Sequence, residues 1–404
     1  MRNRALPKAA DFLVVGGGPA GSAFAILAAR AGASVVLVER SDYLKRRPGE
    51  HLAGRVRKAL DALHVSTDDA RVISATSPGI LSLWNSRAPV TRTYSSTGQP
   101  DALCVSRHRF DELLFRSART AGATALSRAT LASISSRPRG GWQVSIKEFD
   151  GHSHDIHVSS VVDASGRNAV FARSQGARRI HHGDLLAIVG WLEAGDAPTP
   201  PRAMLTVESC PVGWWSLSVA EDATLAATLY TSTEILKTSG VSPETWWANA
   251  LGRSRSIART LKNADATLID TAVFPAFPSR LSNFFGDGWI AIGDAAVAFD
   301  PLAGQGVAMA IDTAFRAFEA AGVDPSFSTL GPTYSHALND RFERHLAGRA
   351  KVYEEAAAIL SDSFLRSAVS GKDSALLISE RDFPDGVDEG RSAQVHSPVL
   401  LNDA

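Results

Sequence analysis

The sequence predicts an α/β fold with a parallel nucleotide-binding core, a β-rich insertion and a C-terminal helical piece. Three observations carry this. An apolar run near the N-terminus enters a glycine-rich turn and then a helical pattern. Strand-like runs crowd residues 177–276. Residues 288–322 read as a buried strand, a loop and a long helix, with helical patterning continuing to about Ala368.

The first element is "LVVGGGPAGSAFAILAARAGASVVLVER", residues 13–40. Phe12 to Val15 form a short buried strand that leads into Gly16, Gly18 and Gly21, a GxGxxG spacing. A sharp turn off the strand needs Gly16. Gly18 lets backbone approach a pyrophosphate, and Gly21 lets helix and strand pack closely. The helix start then offers N–H groups and a positive dipole end to phosphates. A second apolar run, Val35 to Val38, ends in Glu39, which suits ribose hydroxyls and repels a ribose phosphate. The unit therefore reads as a site for FAD or NAD rather than NADP.

Bulk properties narrow the class. The 404 residues suffice for two or three substructures. Lys+Arg and Asp+Glu balance at 42 each, which gives no reason to expect nucleic acid or an anionic membrane as partner. Cys104 and Cys210 lie far apart with no CxxC, which argues against a disulfide framework or zinc site and fits a reducing cytoplasm. "MRNRALPKAADF" lacks an apolar stretch of signal-peptide length, and nothing reaches the length of a membrane span. His181 and His182 are adjacent without further ligands at metal spacing and read as surface residues, so no metal is expected.

Further along, a charged segment, "RSDYLKRRPGEHL", precedes a helix from Arg55 to Leu63. "CVSRHRFDELLFRSARTAGA" reads as a strand followed by an amphipathic helix with Phe110, Leu113, Leu114 and Ala118 on one face. "GWQVSIKEF" and "DIHVSSVVDASG" alternate as paired strands meeting near Asp150–Gly151. Residues 177–276 show few clear helices and hold five of the eight tryptophans. The polar stretch beyond residue 370 reads as an arm or loose tail.

Two further segments select the cofactor. "VVDASGR" brings Asp163 to a turn containing Gly166, where a strand end meets a ligand crevice. "GDAAVAFDPLAGQG" puts Asp294 at the sheet edge, suited to a ribose or polyol hydroxyl. Gly304 and Gly306 then open a helix able to face negative charge developing on a reduced flavin. Each residue has a plainer reading: Asp163 as a turn-former, Asp294 as a helix cap, the glycines as punctuation.

Together, "GGGPAG" with Glu39, "RHRFDELL", "VVDASGR" and "GDAAVAFDPLAGQG" resemble the glutathione-reductase-type FAD-binding fold of the single-component aromatic hydroxylase and flavin halogenase superfamily. The resemblance implies FAD, with Arg107 along its pyrophosphate or ribitol, Asp294 on the cofactor and Pro301 to Gly306 against the isoalloxazine. With one GxGxxG, NAD(P)H docks transiently or a separate reductase supplies electrons. The implied division is an FAD-binding domain in three parts (1–75, 101–176, 277–325), a substrate-domain excursion (76–100), a β-rich substrate domain (177–276) and a C-terminal helical region with tail (326–404). The implied chemistry is oxygen transfer from a flavin C4a-hydroperoxide to an electron-rich aromatic ring, with molecular oxygen as co-substrate.

Within the superfamily, residues 79–90, "GILSLWNSRAPV", hold no lysine, and "PVGWWSLS" lacks the Trp-x-Trp-x-Ile-Pro of tryptophan halogenases. "RPGEHL", "GWWSLS" and "FDPLAGQG" instead resemble flavoproteins that mature tryptophylquinone cofactors on a partner polypeptide. Glu50 and His51 are then candidates for orienting substrate or passing a proton, with solvated loop residues as the plainer reading. Trp214 and Trp215 are candidates for lining the substrate cavity. A flavin halogenase, a geranylgeranyl-type reductase and an FAD-stabilised binding module or chaperone remain as alternatives.

Overall fold

A computed structural model describes residues 6–86, 88–138, 140–195, 203–221 and 224–369. The expected tail beyond residue 370 lies outside the described residues.

The core is an eight-stranded sheet whose parallel part runs Trp289–Ala291, Ser153–Asp163, Ala9–Val15, Val35–Glu39, Thr124–Ser127. Strands so placed are near-continuous apolar runs, as in FLVV and VVLV, because helices cover them. Pairing is in register where it matters: Val15 lies beside Asp163, and Asp163 beside Ala291. The carboxyl ends of three adjacent strands therefore align, and the three motif loops leave from one edge of the sheet. An antiparallel ribbon, Ala129–Ser136 and Trp142–Glu148, leads into Ser153–Asp163, with its turn near Asp150–Gly151 as expected. The helices Pro19–Arg30, Arg107–Thr120 and Gly306–Val323 pack together through small residues such as Ala23, Ala314 and Ala317.

A second, seven-stranded sheet runs Thr267–Pro275, Leu185–Glu193, Thr224–Ser232, Gly213–Glu221, Leu205–Cys210, Gly79–Leu83, Val90–Thr93. Side chains alternate between its faces. One face carries Trp84, Trp191, Trp214 and Tyr230 and packs with Leu302, Tyr353 and Phe364. The other carries Trp215, Leu217 and Leu229 and packs with Trp247, Ile257 and Leu261.

The region 177–276 holds more helix than its strand-rich pattern suggests: Thr233–Ser239, Pro243–Leu251 and Ile257–Asn263. Two of these begin on serine caps. Ser232 Oγ accepts from the Glu234 and Ile235 amides, and Ser242 Oγ accepts from Thr245 ahead of Pro243 at the first helical position. These helices cover the second face of the sheet, a tertiary demand that strand alternation does not announce. Among the described residues, no helix is long and apolar enough to cross a membrane.

Candidate functional site

The glycines of the first turn differ in what a side chain would meet. Gly16 has φ +105°, and a Cβ there would overlap the Ala164 carbonyl, so the strand end can pass beneath the second motif only as glycine. A Cβ on Gly21 would overlap the Gly16 carbonyl and crowd Val14. Gly18 differs: its φ is −72° and a Cβ would meet nothing within 4 Å. That open space lies at the start of the helix Pro19–Arg30, which no side chain caps, so its N–H groups face an anion's place. The residues therefore fit the pyrophosphate of a dinucleotide.

Glu39 is buried at the end of its strand. Its Oε2 accepts from Gly17 N at 2.7 Å and its Oε1 from Ser41 N at 2.9 Å, while Arg47 Nη2 lies 3.4 Å away. Tyr43 Oη donates to the Gly17 carbonyl at 2.7 Å, and burial beside Glu39 raises its phenol well above the usual range. The glycine turn is thus fixed from outside by Glu39 and Tyr43. A second lone pair on Oε2 suits a ribose hydroxyl.

Asp163 requires a correction. It is fully buried, and its oxygens are taken by Ser165 N (3.0 Å), Ser165 Oγ (2.6 Å) and Ala172 N (2.8 Å). With no exposed surface it holds the 164–172 turn against Gly16 rather than touching a cofactor. Burial raises its pKa, and these hydrogen bonds oppose the rise. Gly166, φ +69°, has open space where a Cβ would go.

Asp294 is the acid that remains available. Its side chain is 45% exposed, with Arg167 Nε 3.7 Å from Oδ2. Arg179 donates to the Asp294 and Ala295 carbonyls at 3.1 and 2.9 Å. Gly293 N donates to Thr313 Oγ1 at 2.8 Å, and a Cβ on Gly293 would come within 2.8 Å of Ala20 Cβ. The third motif thus abuts the start of the first helix. His181 and His182, expected at the surface, are half-buried instead. The His181 ring lies 4.7 Å from that of Phe277 at a tilt of 36°, and burial with Arg179 and Arg167 nearby lowers its pKa to about 4.

Arg107 reaches back over the loop 47–50. It donates to the Pro48 carbonyl and pairs with Asp111 at 3.1 Å, and a Cβ on Gly49 (φ +105°) would overlap its guanidinium. Buried Asp111 also holds Arg47, at 3.0 Å. Tyr43, Arg47 and Asp111 escape the motif reading, although Arg107 and Asp111 are an i,i+4 pair that "RHRFDELL" displays. Further on, Asp300 caps the turn Pro301–Ala303 by accepting from Leu302 N at 2.9 Å. Gly304 (φ +57°) then leads into the helix Gly306–Val323, which no side chain caps; a Cβ on Gly306 would meet open space. A helix start opened by two glycines fits the electron-rich edge of a flavin ring.

Glu50 is buried at the junction of the loop 47–50 and the second sheet. Its Oε1 accepts from Trp191 Nε1 at 3.0 Å. Burial pushes its pKa up to about 8, against the Trp191 hydrogen bond and the Arg107 charge. His51 points elsewhere: its strand pairs with Cys104, its ring lies 6.3 Å from Tyr94, and burial lowers its pKa to about 4. Trp214 is fully buried on the face that carries Trp191. It stacks on Tyr230 at 3.7 Å and donates to Tyr353 Oη at 3.0 Å. Trp215 does not join them. It projects from the opposite face against Trp247 at 5.7 Å, as period-2 alternation demands.

The three loops at one sheet edge, the unblocked helix start and the half-exposed carboxylate of Asp294 beside Arg167 fit an α/β fold that binds a dinucleotide such as FAD. Residues 11–184 match the family described as FAD dependent oxidoreductase. On fold, site and match together, this chain is an FAD-dependent oxidoreductase. A putative FAD-dependent oxidoreductase, LodB, of Marinomonas mediterranea is 25% identical over 347 residues, 85% of this chain and 92% of that protein. Two solved structures share the fold. The flavin-dependent halogenase CmlS has a TM-score of 0.78 at 21% identity, covering 92% of this chain and 68% of its own. QhpG, a peptidyl tryptophan dihydroxylase essential for tryptophylquinone cofactor biogenesis, has a TM-score of 0.69 at 20% identity, covering 89% and 78%.

Proposed function

We propose that this FAD-dependent oxidoreductase is a monooxygenase that hydroxylates an electron-rich aromatic ring, namely a tryptophan side chain of a partner polypeptide. The observation that carries the reading is Glu50: a buried, proton-retaining carboxyl held by Trp191 between the flavin-side loop and an aromatic sheet face. Bound FAD, once reduced by NAD(P)H or a separate reductase, supplies the means to activate molecular oxygen. One oxygen atom enters the ring and the other leaves as water. The protein's part is to keep the ring dry, place it and handle its proton. With its pKa raised to about 8, Glu50 exchanges its proton near neutrality, and in its ionised form it accepts the proton that leaves the ring carbon. Arg107, Asp294, Glu39, Gly18, Gly166, Gly304 and Gly306, with Pro301, hold the cofactor, and Gly16 and Gly21 shape the turn that carries it. We assign the parallel sheet with its helices to cofactor binding, the seven-stranded sheet to substrate, and the protein to the cytoplasm.

Support for a polypeptide substrate comes from the "RPGEHL" and "GWWSLS" resemblances and from the shared fold of a peptidyl tryptophan dihydroxylase. A halogenase reading has its own support in the fold of CmlS. It is disfavoured by the absence of lysine from residues 79–90. Product mass with and without added bromide separates the two. Gain of oxygen regardless of halide supports hydroxylation, and halide-dependent gain of bromine overturns it.

A further inference from the structure

We propose that Asp300 is the positioning residue of the flavin-edge turn, and that Tyr353 ties this turn to Trp214 on the aromatic face of the second sheet. Asp300 is held on every side. Oδ1 accepts from Leu302 N at 2.9 Å, closing the turn Pro301–Ala303. Oδ2 lies 2.9 Å from Arg349 Nε and 3.2 Å from Tyr353 Oη. The Asp300 amide donates to His345 Nε2 at 2.9 Å. His345, Arg349 and Tyr353 stand four residues apart on the helix Gly331–Glu355, so one helix face delivers all three to a single residue.

The direction of the chain follows from its donors. A tryptophan Nε1 can only donate, so Tyr353 Oη accepts from Trp214 at 3.0 Å and spends its own proton on Asp300. Likewise His345 must leave Nε2 unprotonated to accept from Asp300, and burial beside Arg349 and Arg341 lowers its pKa to about 3. A turn that needed only a cap would be satisfied by Oδ1. The second oxygen, facing an arginine in the protein interior, is a costly way to gain stability alone and a direct way to fix a position. What it fixes is the segment Pro301–Gly306, and the far end of the chain is Trp214, stacked on Tyr230. The turn Pro301–Ala303 and the buried Trp214–Tyr230 stack are therefore set relative to each other through Tyr353.

This inference rests on FAD binding but not on the hydroxylation reading, and its test needs no substrate. The FAD-loaded full chain is compared with Asp300→Asn, Tyr353→Phe, Trp214→Phe and the Tyr353→Phe, Trp214→Phe double variant. The measurements are the flavin visible spectrum, the midpoint potential and the melting temperature. Asp300→Asn leaves the Arg349 cation uncompensated, and the expected result is a raised potential. If Asp300→Asn does not fold, the two milder variants still decide. Tyr353→Phe and Trp214→Phe each shift the flavin spectrum, and the double variant shifts it no further than Tyr353→Phe alone, because both cut one chain. Unchanged flavin spectrum and potential with a lowered melting temperature would make the network purely structural and overturn the proposal. Additive shifts in the double variant would overturn the link to Trp214.

Discussion

Replacing Gly18 by valine separates cofactor binding from folding, because the structure gives this glycine no packing role. Its φ of −72° suits any residue, and a Cβ would meet no protein atom within 4 Å. The cost to the empty fold is that of a poorer helix N-cap, at most about 1 kcal/mol. The cost to FAD is far larger. A branched side chain there fills the pyrophosphate's place and removes at least two charge-assisted hydrogen bonds from the helix start. At about 1.5–3 kcal/mol each this amounts to roughly 3–6 kcal/mol, or a loss of about 10²–10⁴-fold in affinity. Flavin fluorescence quenching on titration of apoprotein measures the affinity, and thermal unfolding of the same apoprotein measures the fold. Gly21→Val is the opposing control: its Cβ would overlap the Gly16 carbonyl, so the fold itself fails. If Gly18→Val binds FAD within threefold of wild type, or melts as early as Gly21→Val, the placement of the pyrophosphate is wrong.

Other outcomes follow from the same geometry. Burial holds the Glu50 proton to about pH 8, whereas the unfolded chain releases it near 4.5. Relative to Glu50→Gln, the wild type is therefore not penalised below pH 4.5 and loses up to about 5 kcal/mol as pH rises through 8, measured by denaturant melts across this range. The same substitution abolishes turnover while FAD affinity stays put, which separates a proton-handling role from a cofactor-binding one. His51 is neutral in the fold with a pKa lowered to about 4, so its contribution is intact above 6.5 and is lost as pH falls toward 4. His51→Phe flattens that acid limb. Trp215→Ala costs about 3–5 kcal/mol in unfolding experiments and leaves FAD affinity unchanged, because this ring packs against Trp247 on the face away from Glu50.

The glycine-rich turn was legible because its constraints are local. A turn that must pass under Ala164 and a helix that must touch a strand each impose glycine at a fixed spacing, and Gly16 and Gly21 stand where those rules put them, while Glu39 at its strand end accepts from the Gly17 and Ser41 amides. Asp163 shows the limit of such reading. A strand-end aspartate before a turn has the same pattern whether its oxygens face a ligand or the chain's own amides, and here they face Ser165 and Ala172. The contacts around Glu50 and Trp214 were nearly opaque. Trp191 reaches Glu50 across 141 residues, and Tyr353 reaches Trp214 across 139, contacts that no local spacing encodes. The adjacent Trp214 and Trp215 could be placed on opposite faces by strand alternation, but which face meets the flavin side depends on how the two sheets pack. The three helices between residues 233 and 263 carried readable starts in Ser232 and in Ser242–Pro243.

Oxygen transfer to the tryptophan of a partner chain is the step on which the proposed function turns. It is tested most directly with the FAD-loaded enzyme, an electron donor and ¹⁸O₂, followed by peptide mass mapping of a tryptophan-bearing partner alongside free tryptophan and simple phenols. The expected result is ¹⁸O on a tryptophan of the partner polypeptide, with little product from the small aromatics. Efficient labelling of a free phenol would contradict the polypeptide substrate, and turnover that leaves every product free of ¹⁸O would contradict the monooxygenase itself.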